Sequence, residues 1–103
     1  MQAEIGVTCS EAREGWRCDV DVKDELGASR HTVTVYRVDL ARLDPRASDP
    51  ERLVRVSFAF LLKREGKASI LGRFDLVEIG RYFPEYEREI VPWVARVAAD
   101  ETS

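Results

Sequence analysis

Apolar and polar residues change their spacing along this chain, and each change marks an element. From Trp16 the period is two: Trp16, Cys18, Val20 and Val22 alternate with Arg17, Asp19, Asp21 and Lys23, the pattern of a half-buried strand. Asp24 to Ser29 carries turn chemistry, with Gly27 free to take positive φ, and the run RHTVTVYRV that follows is β-branched and alternates again. These runs predict an antiparallel hairpin over 16–38. Val33 and Val35 join Trp16, Val20 and Val22 on its inner face, Thr32, Thr34 and Tyr36 take the outer face, and His31 lies inside or at the strand edge. Ahead of the hairpin, Ala3, Ile5 and Val7 alternate only faintly. Residues 1–15 therefore read as a loosely ordered arm or a weak third strand, with Ser10 to Gly15 as loop.

From Asp49 the spacing becomes helical. Asp49 can accept the free N–H groups of a first turn, and Pro50 sits where no N–H is needed, so a helix is predicted over 49–65 with Gly66 at its stop. Its apolar residues, Leu53 to Leu62, cover an arc of about 240°. Such an arc calls for cover on two sides: the hairpin on one, and C-terminal helices or a second copy of the chain on the other. Ser57, in the middle of the arc, reads as a packing residue whose hydroxyl bonds a carbonyl one turn back. Before this helix, 39–48 reads as one helical turn anchored by Leu40 and Leu43, then a linker, because Asp44 precedes Pro45.

After it, Ala68 to Gly72 make at most one turn, with Ile70 and Leu71 tucked inward. The Asp75 and Glu78 pair is a carboxylate capping arrangement that starts a short helix over 76–82, ended by Pro84. A second short helix follows with Tyr86, Ile90 and Val91 as its apolar edge. Pro92 breaks or kinks what comes next, Trp93, Val94 and Val97 form a last turn, and the tail over 99–103 frays. The expected architecture is α+β in one domain: an antiparallel β-hairpin, with or without an N-terminal third strand, packed on a central amphipathic helix and followed by short C-terminal helices over 68–98.

The length of 103 residues suits a single core without staples. No apolar run approaches the roughly 20 residues of a bilayer span. The start MQAEIGVTCSEAREG lacks a basic segment followed by an apolar core, so a cytoplasmic chain with no membrane partner is expected. In that compartment Cys9 and Cys18 would be reduced, and Cys18 would act as a small buried hydrophobe. Two cysteines and one histidine do not make a four-ligand zinc site without carboxylates, so no metal and no cofactor is expected.

The net charge of −3 is unevenly distributed: residues 52–73 carry a balance of +5, and the flanks on either side carry −4 each. Arg52, Arg55, Lys63, Arg64, Lys67 and Arg73 are therefore the candidate phosphate contacts. Acidic flanks folding beside a basic centre account for the same pattern without nucleic acid, which is the lesser expectation.

The hairpin, the segment DPERLVRVSFAFLLKRE and the block SILGRFDLVEIGRYFPEYEREI together resemble a family of small uncharacterised bacterial and archaeal proteins, about 80 to 100 residues long. The resemblance covers most of Gly15 to Ile90. Its most specific parts are SFAFLL at 57–62, SIL at 69–71, FDL at 74–76 and YFPEY at 82–86. It implies a hairpin followed by this helical block, and it implies no activity, ligand or catalytic residue.

The chemistry-bearing groups are sparse. Asp19 and Asp21 project from one strand face roughly 6.5 to 7 Å apart, but Arg17 and Lys23 flank them as on any neutralised, solvated sheet face. His31 has no nucleophile at a diagnostic spacing, and the glycines do not form a phosphate loop. Among the aromatics, Phe74 and Phe83 are expected in the core, whereas Tyr82, Tyr86 and Trp93, with polar tips on apolar rings, are the candidate interaction surface. The expectation is a non-catalytic protein-protein interaction or oligomerisation module, partnered by itself (a homo-oligomer) or by another protein. The alternative is a nucleic-acid or phosphate-binding module using 52–73; the third is an enzyme whose site, at a subunit cleft, contains His31 or the Asp19 and Asp21 pair.

Overall fold

Two turns of two residues each organise the N-terminal half. A computed structural model describes residues 3–102; Met1 and Gln2 of the arm and Ser103 of the tail lie outside them. Strand β1 (Glu4–Ala12) turns at 13–14 into β2 (Gly15–Asp24), which turns at 25–26 into β3 (Gly27–Tyr36). Both pairings are antiparallel, with Ala12 opposite Gly15 and Asp24 opposite Gly27. Gly27 takes the positive φ of 133° that side chains rarely adopt, and Asp24 Oδ1 accepts the Leu26 N–H at 2.8 Å inside the turn. Gly15 is required for a different reason: a carbon added there would run into the Val35 carbonyl and the Tyr36 backbone. The inner face is the predicted one, with Trp16, Cys18, Val20, Val22, Val33 and Val35 buried.

Of the arm, Glu4–Ala12 is thus an edge strand, the second of the two expected alternatives, and it takes Ser10 to Ala12 out of the expected loop, which shrinks to 13–14 because Gly15 already pairs in β2. Its register sets Cys9 opposite Cys18, and the two form a disulfide across Cα atoms 4.0 Å apart. The expectation of two reduced thiols is corrected here: the 13–14 turn brings the sulfurs together.

Helix α1 (Arg37–Leu43) is longer than one turn, buries Leu40 and Leu43, and stops at Asp44 ahead of Pro45. Helix α2 (Glu51–Leu62) begins where Asp49 Oδ1 accepts the Glu51 N–H at 2.9 Å. It ends before the predicted Glu65: the Arg64 N–H tightens to the Leu61 carbonyl three residues back, an acceptor it shares with the Glu65 N–H, and Gly66 is extended. Leu53, Val54, Val56, Ser57, Phe58, Phe60 and Leu61 are all buried, against β1 and against the last helix. The apolar arc is therefore covered on both sides within one chain, which removes the packing argument for a second copy.

A 3-10 turn (Lys67–Ser69) leads to β4 (Arg73–Asp75), a strand absent from the sequence reading. It lies parallel to β3, with Val33 opposite Phe74, giving the sheet order β1-β2-β3-β4. Ile70 is buried here, but Leu71 points outward, contrary to expectation. The Asp75 and Glu78 side chains form the predicted capping box, with the Asp75 N–H donating to Glu78 Oε2 at 2.8 Å, and start a 3-10 turn (Leu76–Glu78) continued by α3 (Ile79–Tyr82).

Helix α4 (Tyr86–Thr102) then runs for 17 residues through Pro92, where a break or a kink, and then a fraying tail, were expected; the helix does not break. Tyr86, Ile90, Val94 and Ala98 form its buried stripe at every fourth position, while Val91 is exposed. Pro92, which has no N–H to give the Arg88 carbonyl one turn back, stands on the exposed side of the helix, and Arg88 is itself exposed. Packing of the stripe outweighs the loss of that one bond. The molecule has α+β architecture, a mixed four-stranded sheet with helices. Among the described residues no helix is long and apolar enough to cross a membrane.

Candidate functional site

Four of the six basic candidates are tied to carboxylates from the acidic flanks. Arg52 grips Asp44 with two nitrogens, at 2.8 and 3.0 Å, and reaches Glu101 at 2.9 Å, joining the end of α1 to α2 and α4. The Asp44 hydrogen bonds, and then those of Glu101, hold the Arg52 guanidinium even more firmly protonated than an ordinary arginine. Arg55 pairs with Glu51 one turn back at 3.1 Å. Arg64 bonds Glu85 at 3.1 Å and Glu89 at 2.9 Å, donates to the Phe60 carbonyl at the end of α2, and stacks on the Phe60 ring at 3.6 Å. Lys67 pairs with Asp24 at 2.8 Å, and that ammonium is the largest cause holding the Asp24 carboxyl below the ordinary carboxylate range. Lys63 lies over the Trp93 ring at 4.6 Å. Arg73 is exposed at the sheet edge and makes no ion pair among the described residues. The basic stretch is thus engaged in several separate contacts within the chain.

The groups considered for catalysis are also separated. Asp19 and Asp21 lie on the outer sheet face, where Asp19 is near the Thr32 hydroxyl at 3.4 Å and Asp21 pairs with the exposed Arg30 at 3.1 Å. His31 is buried on the inner face. Its Nδ1 lies 2.8 Å from the Leu71 carbonyl, an atom that only accepts, so this nitrogen carries a proton; Nε2 lies 2.8 Å from the Ser29 hydroxyl. The ring stacks obliquely on Phe58, 5.3 Å between centroids. His31 thus fastens the 70–72 segment to the sheet, beside the Thr32 N–H bond to the Gly72 carbonyl at 2.7 Å.

The three aromatics proposed for an interaction surface take three different places. Tyr86 is 1% exposed, which corrects its assignment to the surface. Its polar tip finds a partner inside: the hydroxyl lies 2.7 Å from Ser57 Oγ, and its ring meets Phe60 edge to face. The Ser57 hydroxyl is thereby engaged across helices and not with a carbonyl one turn back. Burial, the largest cause, pushes the Tyr86 phenol far above its ordinary range. Trp93 is half-buried under Lys63. Tyr82 alone is open, at 67% exposure.

Tyr82 stands at the mouth of a cleft of about 440 Å³ between the end of α2, the segment leading into β4, and α3. Leu61, Ile70, Phe74, Ile79 and Phe83 form its apolar wall, and Leu71, 52% exposed, stands with Tyr82 at the rim. Leu71 projects there because its own carbonyl and that of Gly72 are both taken by β3. Glu65, Glu78 and Ser69 are the polar lining groups. Sequence reasoning missed this cleft: it placed Leu71 inward, saw Glu78 only as a cap, and gave Glu65 no role. The one usable signal was the aromatic density between Phe74 and Phe83. No family model, curated protein or solved structure matches this chain.

Proposed function

We propose that the protein is a non-catalytic recognition module whose cleft receives an apolar segment of another protein. The observation that carries this reading is the pair Leu71 and Tyr82, two large side chains exposed at the rim of a concave, largely apolar cavity. Single exposed apolar residues are ordinary, but a pair of them edging such a cavity forms the kind of patch that serves binding. A small molecule inside the cavity would leave both rim residues in water, whereas a peptide segment lying across it would cover them. Self-assembly is the weaker form of the reading, because the α2 arc that argued for it already meets β1 and α4. Phosphate binding is also weaker, since most of its candidate cations are engaged with carboxylates of the same chain.

A random linear peptide library, panned against the full chain and counter-selected on a Leu71→Glu variant, tests the proposal. Selected peptides should bind wild type and lose at least ten-fold in affinity on Leu71→Glu or Tyr82→Ala, measured by fluorescence anisotropy. Both positions are exposed, so the melting temperature should hardly move. If panning returns no peptide whose binding depends on these two residues, the proposal is wrong.

A further inference from the structure

Resting on that reading, we infer that the segment presents a basic side chain, arginine or lysine, to the cleft. Glu65 and Glu78 line the cavity and no cation does. Glu65 is half-buried, and its carboxylate makes no hydrogen bond or ion pair among the described residues. The cations nearest to it in sequence are engaged elsewhere, Lys63 over the Trp93 ring, Arg64 with Glu85 and Glu89, and Lys67 with Asp24. Glu78 gives one oxygen to the Asp75 N–H, leaving the other without a partner among the described residues.

Any occupant of this cavity strips water from Glu65. A purely apolar segment would leave that carboxylate desolvated without compensation, and an acidic one would add like charge. A basic side chain supplies the missing partner. The same lining suits it twice more: Phe74, Tyr82 and Phe83 bring three aromatic rings to the cavity, the groups that attract a guanidinium or ammonium, and the apolar wall takes its aliphatic stem. Specificity then follows from the lining: the rim and wall select apolar neighbours, and the carboxylates select the central cation.

Peptides recovered on wild-type protein decide the matter by their composition and by two substitutions. The expected peptides carry arginine or lysine beside Leu, Phe or Trp, and bind more weakly as salt is raised. Glu65→Gln should weaken them roughly five-fold. Glu78→Gln should act in the same direction while keeping the turn intact, because glutamine also serves the third position of a capping box. Exchanging the peptide's basic residue for glutamine should lower its affinity for wild type by a similar factor and have little further effect on Glu65→Gln. Peptides that need Leu71 and Tyr82 yet lack a basic residue, and are indifferent to Glu65→Gln, would overturn this inference while leaving the recognition reading in place. Failure to recover any peptide dependent on Leu71 would remove both. A dimer in light scattering that Leu71→Glu dissolves would replace the foreign segment with a second copy and likewise overturn the assignment.

Discussion

Replacing Tyr86 with phenylalanine takes one oxygen out of the contact between α2 and α4 and leaves the ring in place. The lost bond is the 2.7 Å contact with Ser57 Oγ, and Ser57 has no measurable exposure, so water cannot reach the orphaned hydroxyl without opening the helix pair. A hydrogen bond contributes a net 0.5–1.5 kcal/mol, whereas a buried hydroxyl left unsatisfied costs about 1–3 kcal/mol. Tyr86→Phe should therefore cost about 2 kcal/mol, and Ser57→Ala a similar amount. The double substitution removes both polar groups, so its cost should fall short of the sum by about 1 kcal/mol. Urea unfolding followed by the fluorescence of Trp16 and Trp93 measures all three. For a chain of this size each kcal/mol corresponds to about 4–8 °C in melting temperature.

Alkaline pH gives a second readout. The native state raises the phenol of Tyr86, so it favours the neutral form. That contribution is present below the ordinary phenol range near pH 10 and is lost as pH rises above it. Tyr86→Phe should flatten the alkaline limb of the stability curve. Additive single costs of under about 0.5 kcal/mol, with an unchanged alkaline limb, would refute the buried pair.

Two further outcomes test the rest of the framework. Reduction of the Cys9–Cys18 disulfide opens a short loop and should lower unfolding stability by about 2.5 kcal/mol while raising the urea m-value; identical curves with and without dithiothreitol, once mass spectrometry confirms reduction, would contradict it. Arg52→Met leaves Asp44, 3% exposed, without its forked partner and should cost about 3 kcal/mol, much of it recovered by adding Asp44→Asn; a loss under about 0.5 kcal/mol would mean that water screens the pair.

The elements read correctly from the sequence are those whose signals are local. The β2 and β3 alternation, the turn at Gly27, the Asp49 start of α2 and the Asp75–Glu78 box each lie within a few residues, and the structure forms them all. The elements missed depend on partners far away. β1 is an edge strand whose inward residues are only half-buried, so its alternation is weak, although pairing about residues 13–14 would have set Cys9 opposite Cys18. β4 has three residues, too few for a period to register. Pro92 reads as a breaker until the buried stripe from Tyr86 to Ala98 is known to pack. Tyr86 was placed outside by the polar tip that Ser57 satisfies inside. The cleft was illegible for the same reason. Leu71 faces outward because His31 and Thr32, some forty residues earlier, hold the backbone on either side of it.

The parallel pairing of β4 also has a consequence for the order in which the molecule assembles. β1, β2 and β3 meet across two-residue turns and can zip together early, but β4 must close a loop of about forty residues before its three pairs and the His31 bond form. One wall of the cleft is thus the last part to join the sheet and the first to leave it, by a local opening that spares the three-stranded meander. A segment bound across Leu71 and Tyr82 would hold that wall shut, so occupancy of the cleft and completion of the fold become one equilibrium, readable as slowed amide exchange over residues 70–75.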